Sequence, residues 1–401
     1  MADQITGKAP RIRFKAHSEP WADEKIGDVL AEKRRPIVLE DDQRYELITV
    51  KRRNEGVVSR GHLFGRDIMV KNYAELKAGD FVISKRQVVH GATGIVPPAL
   101  DGAIVSNEYL TAVDSDRLLT EFLAIVASLP AMRRKFFLSS YGVDIEKLFF
   151  DADDWRKRNV MLPDVQEQSR VGQFFRQLDK LLDLHERKHE KLAELKAAML
   201  QKMFPKPGST APEVRFRGFS KPWVEKKLKN IGTFNPKEVL PECFEYVDLE
   251  SVVGTEMVGH RTEMRTTAPS RAQRLARKGD LFFQTVRPYQ KNNHLFNLPD
   301  ENYVFSTGYA QIRPHDDGSF LLSLMQRDEF VRVVLANCTG TSYPAITANA
   351  LSDIFVLIPS ADEQKKIGAY FFNLDKLIAR HAAQVCKLQQ IKLACLDKMF
   401  I

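Results

Sequence analysis

The chain has 401 residues, 44% of them hydrophobic and 28% charged, with 60 Lys+Arg against 52 Asp+Glu for a formal charge of +8. That length allows about two to four domains with sizeable cores, and the balance excludes collagenous, disordered and disulfide-scaffold classes. The basic excess suits a polyanionic partner without identifying one. Four cysteines, Cys243, Cys338, Cys386 and Cys395, form no C-x-x-C and read as reduced thiols. The amino terminus, MADQITGKAPRIRF, has no apolar signal region, and no run of about 18 apolar residues occurs. A cytoplasmic protein without a membrane span is expected.

In chain order, the first feature is a lead-in segment, PRIRFKAHSEPW at 10–21, which returns as PEVRFRGFSKPW at 212–223. Six of its twelve positions are identical, Trp21 and Trp223 among them. A divergent body follows each lead-in, over 25–130 and 227–330. Both bodies read as β-rich: FVISKR (81–86), AIVS (103–106), LFFQTVRP (281–288) and YVFS (303–306) are short apolar or β-branched runs between Gly, Asp and Pro breaks. Leu76-Lys77-Ala78-Gly79-Asp80-Phe81 resembles Ala276-Arg277-Lys278-Gly279-Asp280-Leu281.

Each half closes on a long helix. Residues 163–204 and 359–400 align without a gap at an offset of 196, with 17 identities over the 38 positions from Glu167 and Glu363. Pro163 and Pro359 stop the preceding strands. Asp164-x-x-Glu167 and Ser360-x-x-Glu363 read as capping boxes. Leu178, His185, Leu192 and Met199 form one line of a heptad seam, with Leu181, Lys188, Leu195 and Lys202 as the other. The second copy gives Leu374, His381, Leu388 and Cys395 with Leu377, Gln384, Ile391 and Lys398. Neither stripe can be buried alone, so the two helices are expected to pair antiparallel as a rod of roughly 55 Å. The expected fold is α+β, two β-rich bodies separated by two long antiparallel helices in an internal repeat. The boundaries are 1–162 and 207–358 for the bodies, 163–206 and 359–401 for the helices.

Candidate contacts sit at strand ends. The first body offers Lys51, Arg52, Arg53, Asn54, Arg60, Arg66, Lys85, Arg86 and Gln87; the second offers Gln284, Arg287, Gln290, Lys291, Asn292 and Asn293. Arg and Lys suit guanine edges and phosphates, and Asn and Gln suit adenine. Singly, each is an ordinary surface residue; the recurrence in both bodies lifts the group. His185-Glu186-Arg187-Lys188-His189 matches the H-E-x-x-H zinc-protease pattern. No third ligand follows at a familiar spacing, and the equivalent His381-Ala382-Ala383-Gln384-Val385 lacks the base and the second histidine. No phosphate loop, dinucleotide fingerprint, amino-methyltransferase N-P-P-[YF] strand end or zinc cluster occurs, so no catalytic or metal residue is assigned. From the residues alone two readings stand: a DNA-binding recognition protein, and a coiled-coil scaffold or an enzyme using His185 and His189.

The doubled EQ…IG…F…LDKL…KMF helix and the PxxRFxxFSxPW lead-ins followed by K-x-G-D strands resemble type I restriction-modification specificity subunits, over nearly the whole chain. The resemblance implies two target recognition domains, each reading one half of a bipartite sequence in double-stranded DNA, with the helices setting the unspecified gap. It implies docking of two methyltransferase subunits, joined by two translocase–endonuclease subunits for cleavage. S-adenosylmethionine, ATP and magnesium would then be used by those partners, and this chain would hold no cofactor.

Overall fold

In the computed structural model, which describes residues 9–340 and 342–401, each lead-in ends as a strand clamped beside the start of a long helix. The first eight residues of the expected first body lie outside the described residues. The fold separates into two units, residues up to 184 with 385–401, and residues 185–384.

In the first unit, Ala22–Lys25 pairs antiparallel with Asn159–Leu162. Strands Ala31–Glu32, Tyr109–Val113, Phe81–Ser84 and Thr93–Ile95 form a four-stranded sheet in that order. Pro36–Ile37, Tyr73–Glu75, Ile104–Ser106, Arg44–Val50 and Val57–Phe64 form a five-stranded one. All four residues of Phe81–Ser84 are buried, because the strand divides two cores. Phe81 and Ile83 face a cluster with Trp21 and Phe122, while Val82 faces Ile48, Val57 and Leu76. A strand covered on both faces reads as a continuous apolar run rather than an alternation.

The second unit repeats the plan. Val224–Lys227 pairs with Phe355–Ile358, and Leu281–Gln284 is again wholly buried between two cores. The shared K/R-x-G-D turn before this strand is a structural lock. Gly79 and Gly279 take φ of 92° and 93°, conformations a side chain rarely adopts. Asp80 and Asp280 accept from the amides of Lys77 (2.8 Å) and Arg277 (2.9 Å) and pair with Arg35 (2.6 Å) and Arg313 (2.8 Å).

Four helices at the ends of the bodies were not expected from the pattern: Thr120–Ser128, Pro130–Leu138, Gly318–Met325 and Asp328–Ala336. Short apolar runs such as 118–127 do not separate buried helix from buried strand by periodicity.

The long helices span Val165–Lys202 and Ala361–Lys398. Their Glu-Gln starts are joints rather than complete capping boxes. Asp164 does accept from the Glu167 amide (2.8 Å), but the Glu167 carboxylate turns to the lead-in, where Arg13 donates to it at 2.8 and 2.7 Å. Arg215 holds Glu363 likewise at 2.7 and 2.8 Å, and the Glu363 amide bonds the Ser360 backbone carbonyl (3.0 Å) instead of a side chain. Gln168 and Gln364 donate to the carbonyls of Pro163 (3.0 Å) and Pro359 (3.2 Å).

The seam keeps one expected line and moves the other. Leu178, His185, Leu192 and Met199 are buried or half-buried, as are Leu374, His381, Leu388 and Cys395. Leu181 and Leu195 are 45% and 40% exposed, and Leu377 and Ile391 are 43% and 38% exposed. Lys188, Lys202 and Lys398 are exposed too. The second line is instead Leu182, His189 and Lys196, with Ile378, Val385 and Lys392. Val171 and Phe175, and Ile367 and Phe371, set this phase where the helices start against the bodies. From Phe175 the buried positions then step by three and four to Leu178 and Leu182.

Within the first unit, Lys392 pairs with Asp179 (2.5 Å). Within the second, the equivalent Lys196–Asp375 pair (2.5 Å) and the His185–His381 contact show antiparallel helix segments. The terminal K-M-F of each helix completes a core. Phe204 is buried among Trp223 (5.8 Å), Phe320 (5.5 Å) and Phe371 (6.1 Å). Phe400 meets Trp21 (6.0 Å), Phe122 (5.8 Å) and Phe175 (6.1 Å) in the first unit.

Candidate nucleic-acid interface

The loop after the doubly buried strand is the natural place for presented groups, because its base is fixed on both sides. In the first body this loop carries Lys85, Arg86 and Gln87 and closes through Val88–His90 onto Gly91. A second hairpin, Ser140–Tyr141 with Phe149–Phe150, is tied to it by the Phe150 amide donating to the Lys85 carbonyl (3.0 Å). That hairpin brings Phe149 beneath Arg86, whose guanidinium lies 5.0 Å from the ring centroid. Arg86 also donates to Glu108 (2.7 Å), and this bond raises its pKa above the ordinary arginine value. Arg52 donates to Gln87 (2.8 Å) and Glu146 (2.6 Å). Lys85 donates to the Asn107 carbonyl (2.9 Å). Asn54 donates to Thr93 (2.8 Å) and accepts from Arg133 (3.0 Å). Arg66 pairs with Asp42 (2.7 Å) over the Phe64 ring. Lys51, Arg53 and Arg60 are exposed and form no ion pair among the described residues; Arg60 projects from the open strand Val57–Phe64.

The second body builds the same joint from different residues. The Ile346 amide donates to the Thr285 carbonyl (3.0 Å), which ties the segment carrying Tyr343 to the loop. Arg287, at φ 54°, lays its guanidinium 4.5 Å from the Tyr343 centroid, and Tyr343 is 64% exposed. A guanidinium stacked on a ring keeps its N–H edge available and loses little freedom on contact.

Not every expected contact can reach a ligand. Gln284 and Asn293 are 3% and 1% exposed, so they are corrected to structural residues. Asn293 accepts from the Gln284 amide (2.9 Å), while the Gln284 side chain bonds Val286 (2.7 Å) and Gln290 (2.9 Å). Gln284 ends a strand buried on both faces, and Asn293 folds back to cap its amide. Asn292 accepts from the Gly254 amide (2.8 Å). Lys291 donates to Asp328 (2.5 Å), and that bond holds the Asp328 carboxyl below its usual range. The aromatic supports Phe149 and Tyr343 were missed, since they lie far along the chain from the arginines they serve.

Among the described residues, His17, Asp164 and Glu167 are the one group of three ligating side chains already gathered closely enough to hold a cation. Both Glu167 oxygens are taken by Arg13, and the equivalent positions are Phe219, Ser360 and Glu363, so the group reads as a hydrogen-bonded joint. Among the described residues no helix is long and apolar enough to cross a membrane.

Residues 221–390 match the family model of the type I restriction modification DNA specificity domain. The specificity subunit of the type I restriction enzyme HindI from Haemophilus influenzae is 29% identical over 192 residues, covering 46% of this chain and 39% of that protein. The match thus spans about two-fifths of that relative's length. Among solved structures, the S subunit of the type I restriction-modification system of M. genitalium aligns over 98% of this chain and 99% of its own, with a TM-score of 0.61 and 14% identity, a likeness of fold. The HsdS subunit from Thermoanaerobacter tengcongensis aligns over 95% and 96%, with a TM-score of 0.45 and 19% identity. The doubled helix motif, the specificity-domain match over residues 221–390 and the likeness of fold make the chain similar to type I restriction-modification specificity subunits.

Proposed function

We propose that this chain supplies the DNA sequence specificity of a type I restriction-modification complex in the cytoplasm. Each body reads one half of a bipartite, gapped site in double-stranded DNA. The long helices set the gap and dock two methyltransferase subunits, with two restriction–translocase subunits joining for cleavage. The chain itself does no chemistry; S-adenosylmethionine, ATP and magnesium belong to the partners.

The observation that carries this reading is the recurrence of one device on two divergent loops: an arginine stacked on an aromatic ring, Arg86 on Phe149 and Arg287 on Tyr343. Two similar platforms on loops that differ in sequence suit two half-sites that differ in sequence. A bidentate arginine–guanine contact discriminates by about 1–3 kcal/mol. Arg287→Ala is therefore expected to relax one position in one half-site, read by genome-wide methylation mapping of the assembled complex. A uniform loss of methylation at all sites would make Arg287 a phosphate contact; relaxation in both half-sites would refute modular reading.

The spacer role has its own test. One heptad inserted beside His185 and one beside His381, which face each other, preserves the seam period. Seven residues add about 10.5 Å of helix, close to three base pairs at ~3.4 Å. A gap lengthened by about three base pairs with both half-sites unchanged is expected. An unchanged gap in an active complex would show that the helices are not the ruler.

A further inference from the structure

The H-E-x-x-H stretch has no part in sequence recognition, yet the fold gives it a third histidine that the sequence reading did not anticipate. His185 and His381, equivalent positions of the repeat, meet across the helix pair of the second unit. Nδ1 lies 2.8 Å from Nδ1, the ring centroids are 5.0 Å apart, and the planes are inclined at 46°. Two imidazole nitrogens at that distance share one proton, so one ring donates and the other accepts. Both rings are half-buried in the seam. His189 lies one turn beyond His185, on the adjacent second line of the seam, and is also half-buried. An i, i+4 histidine pair on one helix face is the spacing by which helices hold zinc.

Neutral imidazoles converging from two helices are a nitrogen donor set for a divalent transition ion, which would take the place of the shared proton. Glu186, the base of a hydrolytic reading, is exposed and off the seam. The arrangement therefore suits holding an ion, not activating a water on a substrate. Lys188 and Arg380 are neighbouring cations whose charge acts on His381.

We propose that His185, His381 and His189 form an interhelical site for a divalent transition metal ion of the zinc class, a clip between the two long helices. His189 joins by a change of rotamer, and water completes the coordination.

The test uses the full chain and Zn2+ alone in isothermal titration calorimetry. One equivalent is expected to bind with a Kd on the order of 1–10 µM. His381→Gln and His185→Gln, which keep hydrogen-bonding capacity, are each expected to weaken binding at least tenfold, with the helical circular dichroism unchanged. His17→Asn is expected to leave it unchanged. Paramagnetic broadening by Co2+ of the imidazole signals of His185, His189 and His381 locates the ion in the unmodified chain. Absence of saturable binding, binding that survives His381→Gln, binding lost in His17→Asn, or broadening confined to other histidines would each overturn the proposal.

Discussion

Replacing Phe204 by alanine removes the ring on which the second unit's core closes. Phe204 is 0% exposed and packs on Trp223, Phe320 and Phe371, and the Arg327 guanidinium lies 4.9 Å from its centroid. A buried Phe→Ala change costs about 3–5 kcal/mol, and aromatic neighbours contribute ~0.5–1.5 kcal/mol per pair beyond burial. With three ring partners the loss belongs at the upper end, about 4–5 kcal/mol. A unit of this size unfolds in urea with a slope of about 2 kcal/mol/M, so its midpoint is expected to fall by about 2 M. Hydrogen exchange across a urea series, read on peptides from 185–384, reports this unit separately from the other. Phe204→Leu, which keeps most of the volume, is expected to cost less than about 1.5 kcal/mol. A midpoint shift below about 0.5 M for the alanine variant would mean that the K-M-F end of the helix merely rests on the body.

The seam phase is tested by a pair of variants: Leu182→Ala is expected to cost about 1–2 kcal/mol, and its neighbour Leu181→Ala no more than about 0.5 kcal/mol. Chemical denaturation gives the order, and the reverse order would restore the other heptad phase. Glu363→Ala leaves Arg215 with its main partner gone at a site where the side chain is 14% exposed, and about 3–5 kcal/mol is expected to be lost. A loss under about 1 kcal/mol would show that the joint is solvated. His294, whose Nδ1 donates to the Thr255 carbonyl (2.9 Å), is held below the ordinary histidine pKa by burial. Its unfolded form therefore takes up a proton first. The stability contribution is whole above about pH 6.5 and declines as pH falls further, and His294→Gln should flatten that slope in urea midpoints measured across the range. An unaltered slope in the variant would assign the pH dependence to another group.

The sequence disclosed the repeat, the long helices and the short strands at 81–86 and 281–288 because those features are local or periodic. It did not disclose the phase of the seam. Leu181-Leu182 and Leu377-Ile378 are adjacent apolar pairs, and only the packing of Phe175 and Phe371 against the bodies chooses between them. Burial also decided the candidate contacts. Gln284 and Asn293 looked as available as Arg287, but an amide beside a strand covered on both faces is drawn into backbone bonds. The rings beneath Arg86 and Arg287 were invisible for the opposite reason: Phe149 and Tyr343 are tens of residues away, and stacking leaves no mark on spacing. The Glu-Gln and K-M-F signatures were visible as repeats, but their roles as a joint and a core plug depend on partners far along the chain.

That a core near the start of the chain is plugged by Met399 and Phe400 has a consequence for the order of events at the ribosome. Translation proceeds at about 5–20 residues per second, so roughly 10–40 s separate the emergence of Leu184 from that of Phe400. Through that interval Trp21, Phe122 and Phe175 are without the ring that covers them in the finished fold. The unit over 185–384 is contiguous and has its own plug, Phe204, from the start. The half made second can therefore close first, while the half made first waits as an apolar surface open to chaperones and to neighbouring nascent chains.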